Sequence, residues 1–531
     1  MHGIDNNAVT EPPLKQVQTL SLTPTGNHAG WSITESDKEK KSSFQDLTSD
    51  TLSRIFRHLK LRDIRSLQKV CTRLRDLIKE DNALAKAWFR QFSSAHQNQL
   101  KMAITGKDNN QLRAWFESFS NDQAFLESLS DRQPTSVFSP ALLFFTRAEL
   151  MSQCETFELV TKATIDKICK VDSATGIDET DHFRKLNKVQ SAALSADGRY
   201  LITTNGDNSA KIYRQKADGI WEITTSIPHG SSVRSAIFSP DSHHLVTVSN
   251  HRAKICGLGC NELWKPNINI LHDHQISSAT FSTDSRHVVT ASYDKTVKIH
   301  SRKDDGSWEL TVTFSHNYSV YSATFSSDGR HVVTACGSKT ARIYSQRDDR
   351  LWEKKEVFPH EGAVMSADFS PAGNSVVTAS LDGTVNIYRK KSDGSWKINT
   401  ISQHRNGVNS ATFSPDGRHV VTTIFDGTVR IYGRKAKGLW EEKASFDNNF
   451  LAMSATFSPD GRHLVTTTLH CKAATIIGQQ DDGTWLEKAN IVHDAAISSA
   501  TFSADGSQVI TSSVDGVVKI TELRRNPSCM E

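Results

Sequence analysis

The sequence predicts an α+β multidomain protein in which an amino-terminal all-α module and a helical spacer precede an all-β propeller of eight blades. Three observations carry that expectation. The motif S-A-x-F, measured at its fourth residue, recurs at Leu194, Phe238, Phe281, Phe325, Phe369, Phe413, Phe457 and Phe502, eight copies spaced by 43 to 45 residues. A period of this length, with several short strands in each repeat, is the signature of one four-stranded blade per copy. Within a copy, as in SATFSPDGRHVVT at 410–422, alternating runs flank a Pro-Asp-Gly turn; a third run such as TVRIY and an Asp-Gly turn before a tryptophan complete four strands. Upstream, apolar residues take helical spacing instead, starting at Phe44.

Taken in order, residues 1–40 are polar and aperiodic and read as a disordered tail. Residues 41–92 form a helical module. Leu52, Ile55, Phe56 and Leu59 lie on one helix, and Ile64, Leu67, Val70, Cys71, Leu74 and Leu77 on a second that Asp63 caps. A helical spacer follows over 93–155, including QLRAWFESF and PALLFFTRAELMSQ. The propeller spans 186–523, with 524–531 as a tail. Its last copy lacks an outer strand, whereas TFELVTKATID at 156–166 matches the outer-strand sequence SWELTVTFSHN at 307–317. The upstream segment is therefore expected to complete the eighth blade and leave no unpaired edge.

Composition narrows the function. With 63 basic and 59 acidic residues the formal net charge is +4, which supplies no electrostatic footprint for nucleic acid or an anionic membrane, so neither is expected as a partner. Eight cysteines with no zinc-type spacing read as reduced thiols of a cytoplasmic or nuclear protein. No signal peptide opens the sequence, and its most apolar run, ALLFF at 141–145, is far short of a membrane span. No Ser-His-Asp set, carboxylate pair or Gly-rich phosphate loop stands outside the repeat. Hence no catalytic residue, metal or cofactor is expected, and the chain is read as a non-enzyme.

The repeats resemble the WD-repeat family over about 330 residues. The resemblance implies a hydrogen-bonded set in each blade: a His before the first strand (His229, His272, His316, His360, His404, His493), a Thr on the second (Thr203 through Thr511), an Asp at the next turn (Asp207, Asp294, Asp382, Asp426, Asp515) and an aromatic on the third. Such regular histidines and aspartates satisfy one another within a blade and are not read as metal ligands. The tryptophan before each outer strand is read as blade packing. The helical module is similar to the F-box in Leu47, Leu52, Ile55, Phe56, Leu59, Leu61, Ile64, Val70 and Cys71, and departs from it at Thr48, where a proline normally stands. That resemblance implies docking to the Skp adaptor and, through it, to a cullin-RING ubiquitin ligase. The nearly verbatim copies also look like the repeat arrays of some host-associated bacteria, which implies an effector-like member working in a host cell's cytosol.

Positions that differ between copies point to the binding face. Just before the turn Asp stand Tyr293, Leu381, Phe425 and Leu469; four residues before the motif Phe stand Arg234, Tyr321, Met365 and Met453. Together they suit capture of an apolar or mixed protein segment, with no arginine cluster beside them for a phosphorylated one. The sequence thus reads as a substrate receptor of a ubiquitin ligase, with a non-ligase interaction scaffold as the alternative.

Overall fold

The computed structural model describes residues 82–121, 139–165, 188–216, 219–435, 438–447 and 451–526, with the stretches 23–24 and 31–32 and positions 53 and 64. By its contacts the chain divides into Met1–Ile55 and Phe56–Glu531. In the first unit, Thr23–Pro24 pairs antiparallel with Trp31–Ser32, a two-residue ladder inside the expected disordered tail.

The second unit contains eight four-stranded antiparallel sheets, the blades of a propeller. In blade 3 the order from the axis outward is Ile276–Phe281, His287–Ser292, Thr296–Arg302 and Trp308–Ser315. The second strand is buried over almost its whole length, because neighbouring blades cover both of its faces. That is why it reads as a β-branched run, HVVTAS, and not as a strict alternation. The turn before it is held by Asp284: its carboxylate accepts from the Ser282 hydroxyl at 2.5 Å and from the Arg286 N–H at 3.0 Å. The residue between is left-handed, with Ser285 at φ 60° where most copies place glycine, as at Gly417 with φ 68°.

The uniform S-A-T-F motif has a tertiary cause. Ser278 accepts the N–H of Ala323 in the next blade at 3.1 Å, and Thr280 donates to the carbonyl of that same Ala323 at 3.3 Å. The same bracket joins Ser322 and Thr324 to Ala367. Each alanine is small enough to let the inner strands approach. The tryptophans seal the outer part: Trp264 meets Phe238 of its own blade and Tyr200 of the preceding one, both at 5.5 Å between ring centres.

Closure comes from upstream. Strand Phe157–Ile165 pairs with Val518–Arg525, from Phe157 opposite Arg525 to Ile165 opposite Val518, and forms the outer strand of blade 8. The expected tail from residue 524 is corrected here, since Arg524 and Arg525 belong to the strand and are paired by the nine-residue closing segment.

Four helices precede the propeller among the described residues: α1 (Ala83–Phe89), α2 (Ser94–Thr105), α3 (Asn109–Glu117) and α4 (Pro140–Ser152). Ser93 caps α2, and a capping box of Asp108 and Gln111 starts α3. Trp88, Phe92, Trp115, Phe119, Phe144 and Phe145 pack the helices together edge to face.

These helices are fastened to the propeller face that carries the turns between first and second strands. Arg147 of α4, 3 % exposed, donates to the Gly506 carbonyl at 2.6 Å and lies 3.9 Å from Asp460. Lys107 pairs with Asp505 at 2.7 Å, Arg462 with Glu149 at 2.7 Å, and His96 meets the Pro459 carbonyl at 2.8 Å. Burial alone would raise the Asp460 carboxyl, but His463 and Arg147 beside it hold it below the usual carboxylate range. Removing the cation leaves that carboxylate buried with one of its two counter-charges gone. Arg147→Ala is therefore expected to cost about 3 to 5 kcal/mol in urea unfolding, and the Arg147→Met/Asp460→Asn pair clearly less than the two single changes added together. A loss below about 1 kcal/mol for Arg147→Ala would show that the junction is ornamental.

Candidate protein-binding face

The opposite face begins with a backbone irregularity shared by all eight blades. In each inner strand the register slips between its first and third residues, so that the second residue is a β-bulge: Gln190, Arg234, Ser277, Tyr321, Met365, Asn409, Met453 and Ser498. A bulge frees its side chain from the inside–outside alternation and re-aims it. Three of the eight bulges carry Tyr321, Met365 and Met453.

The second set of side chains stands on the turns between second and third strands. In blade 5 Asp382 fixes the turn, accepting from the Thr384 N–H at 2.8 Å and the Thr384 hydroxyl at 2.6 Å. Burial pushes that carboxyl up, yet Thr384, the Gly362 N–H and His360 together hold it well below the usual carboxylate range. The residue just before the Asp is thereby projected outward. Leu381 is 46 % exposed, Phe425 41 %, Leu469 37 % and Met453 48 %, so these are surface groups and not packing between blades. Tyr293, Tyr321 and Met365 are half-buried, and Arg234 is exposed.

The two sets meet. Tyr293 and Tyr321, from adjacent blades, stand edge to face with ring centres 5.9 Å apart, and His274 approaches Tyr293 at 6.1 Å. Leu381 reaches across to blade 6, where a Cβ on Gly407 would touch its Cδ2 at 3.0 Å. The apolar groups concentrate on blades 3 to 7, and Arg234 stands on blade 2. Tyr318, 61 % exposed on the same face, was not singled out from the sequence. Comparing the residue two after each repeat His would have found it, since Tyr318 and His274 are the large side chains in a series that otherwise holds Ser231, Gly362, Asn406 and Ala495.

The histidine sets are less uniform than the resemblance implies. Blade 3 is complete, with His272 meeting Asp294 at 2.8 Å and Thr290 at 2.9 Å. In blade 4, where Ser338 replaces the Asp, His316 turns to Thr334 and the Tyr344 hydroxyl. In blade 6 the expected His–Thr bond is corrected: His404 bonds Ser402 and Tyr432, while Thr422 stands without a partner and Asp426 takes Thr428 and Asn406. Among the described residues no group of three or more His, Cys, Asp or Glu is placed to hold a metal ion.

Of the expected adaptor-binding residues, Ile64 is described and is fully buried, so its side chain serves the chain's own packing and not an exposed docking surface. Leu47, Leu52, Ile55, Phe56, Leu59, Leu61, Val70 and Cys71 lie outside the described residues.

Residues 44–85 match the F-box domain family, and six segments between 221 and 521 match the WD domain, G-beta repeat family. The chain is an F-box/WD-repeat protein. The first five matched segments run from the outer strands of blades 1 to 5 to the third strands of blades 2 to 6, and the sixth runs from the outer strand of blade 7 to the third strand of blade 8. Among solved structures it is similar in fold to Sqt1 of Saccharomyces cerevisiae, at 16% identity and a TM-score of 0.53 over 64% of this chain and 96% of that one. Sqt1 of Chaetomium thermophilum, bound to the N-terminus of the ribosomal protein L10, aligns at 14% identity and a TM-score of 0.53 over 63% and 96%. No curated relative matches the sequence. Both modules of this F-box/WD-repeat protein are of the interaction kind that generally lacks catalysis, and they support an adaptor or substrate-recognition role.

Proposed function

We propose that the protein is the substrate-recognition subunit of a Skp-cullin-F-box ubiquitin ligase. The F-box residues named above, the buried Ile64 excepted, dock the Skp adaptor, and the face around Tyr293, Tyr321, Met365, Leu381, Phe425, Met453 and Leu469 takes the target. One observation carries this reading: helices α1 to α4, the first of which begins at the end of the F-box match, occupy the propeller face opposite to those apolar groups, which the other described residues leave accessible to a partner. Such a receptor acts in the cytosol or nucleus, or in a host cell's cytosol if the chain is an effector. The target is an apolar or mixed protein segment, captured by aromatic and Met anchors with Arg234 at their edge.

A pull-down of purified Skp adaptor by the full chain tests the reading. Capture that is lost in Leu52→Ala/Ile55→Ala, at unchanged Tm, is the expected result. No capture at micromolar concentrations would leave the second reading, a scaffold outside any ligase. Two observations favour that alternative: Thr48 stands where the F-box normally has proline, and the similar propeller of Sqt1 is bound to the terminus of another protein.

A further inference from the structure

The eight copies act as controls for one another, and blade 5 departs from them in one turn residue and in one facing pair. At the turn between first and second strands, seven copies carry a carboxylate: Asp197, Asp241, Asp284, Asp328, Asp416, Asp460 and Asp505. Blade 5 carries Ala372. One position into the outer strand, blades 1, 3, 4 and 6 place Glu222, Glu309, Glu353 and Glu441, opposite Arg214, Ser301, Ser345 and Gly433 of the third strand, while blade 2 places Lys265 opposite Gly257 and blade 7 Leu486 opposite Gly478. In blade 5 the pair is Lys397 opposite Arg389, two like charges on directly facing residues. Such a pair is unfavourable in an isolated sheet.

A third cation completes the group. Arg434, from the third strand of blade 6, points into the same crevice: a Cβ on Gly438 would lie 3.2 Å from the Arg389 Nη1 and 3.8 Å from the Arg434 Nη2. Desolvation first, and then Arg389 beside it, lowers the proton affinity of Arg434. None of the three cations forms an ion pair among the described residues. The crevice between blades 5 and 6 has a volume of about 220 Å³ and is also lined by Asn374 and Asn399. Asn374 spends its side-chain oxygen on Ser370 and Ser375, which turns its amide N–H groups outward as donors. One carboxylate reaches the crevice, Asp416, already engaged by the Ser414 hydroxyl at 2.6 Å and by Arg418. Two guanidinium groups, an ammonium and an amide converging where four other blades place a glutamate form a receptor for a compact, multiply charged oxyanion.

We propose that Arg389, Lys397 and Arg434, with Asn374, bind a phosphate monoester dianion between blades 5 and 6. The site lies away from the apolar face and depends on neither adaptor docking nor target capture there. Two sources could present this chemistry, a free phosphate compound or a phosphorylated serine or threonine of a polypeptide.

The test titrates the full-length protein at low salt with inorganic phosphate, pyrophosphate and a short phosphoserine peptide, following heat of binding and Tm. The variant Arg389→Ser/Lys397→Glu restores the pair found in blades 3 and 4, so its fold is supported by the protein's own repeats. Phosphate is expected to bind and raise the Tm of the natural chain, and the variant to bind at least about tenfold more weakly while melting higher without ligand. A phosphoserine peptide that binds more tightly than inorganic phosphate, with its unphosphorylated form silent, assigns the site to a phosphorylated partner; equal affinities assign it to a free phosphate compound. Arg286→Ala, an exposed cation of blade 3, should leave both unchanged. No binding by any of the three probes at about 10 mM, or equal binding by the variant, overturns the proposal.

Discussion

Placing proline in the closing strand, as Val160→Pro, is expected to lower the Tm, by about 2 to 4 °C for each kcal/mol lost, because proline brings no N–H to the ladder and its ring constrains the backbone. Val160 faces Glu522 in the pairing that completes blade 8. The effect should be larger still in a chain that begins at residue 167, which leaves Val518–Arg525 as an open edge. An open edge exposes a row of unpaired N–H and C=O groups and recruits another chain. That shortened protein should self-associate, and a synthetic peptide of residues 156–166 added in trans should return it to monomers. Equal Tm for Val160→Pro and the natural chain, or a monomeric shortened protein, would show that closure rests on the contact between blades 8 and 1 alone.

Acid should unfold the propeller well above the range in which carboxylates titrate. Burial lowers His229, His300, His316 and His493 to about 4, with nearby Lys254, Lys298, Arg342 and Lys519 adding to the effect. In the unfolded chain each titrates near 6.5, so between pH 6.5 and 4 the unfolded state binds more protons and stability falls as pH falls. Above pH 6.5 these histidines are neutral in both states and cost nothing. One group works the other way. Asp368, which takes the place of the Thr in the inner-strand motif, is pushed up to about 7 by burial, against the Phe413 and Phe369 N–H groups. Between about pH 7 and pH 4 the folded state therefore holds a proton that the unfolded chain does not, which offsets roughly one histidine. Near pH 5 the balance is a loss of about 3 to 4 kcal/mol per pH unit, against a total stability on the order of 5 to 15 kcal/mol. Urea midpoints at pH 7, 6 and 5 read this directly, and His316→Gln should flatten the slope by about one proton. A midpoint that stays constant from pH 7 to 5 would mean that the histidines are hydrated in the folded state.

Much of this architecture is legible along the chain because repetition amplifies weak signals. A single SATFS–DG–RHVVT unit is an ambiguous pair of strands, whereas eight units at a constant spacing define a ring. The likeness between TFELVTKATID and SWELTVTFSHN even shows that an outer strand lies upstream of the first copy. Comparing copies also exposes the apolar face, since Tyr293, Leu381 and Phe425 differ where everything around them is constant. What escaped that comparison has physical reasons. Tyr318 sits in a connecting loop of constant length whose composition varies from copy to copy. The cations of blade 5 come from three strands and two blades, so their convergence has no linear spacing. Ile64 fits the apolar pattern of a docking surface, but periodicity reports that a side chain is apolar and not which surface covers it.

By itself the sequence determined the number of blades, the turn chemistry and the presence of two interaction modules, because each is a local consequence of residue type at fixed spacing. Only the tertiary structure decided which side chains face a partner. A β-bulge in every inner strand re-aims one residue per blade, Arg147 and Lys107 commit one face of the ring to the helices, and among the described residues that commitment leaves the other face open. Those outcomes depend on which groups compete for the same space and the same counter-charges, and that competition takes place between residues hundreds of positions apart.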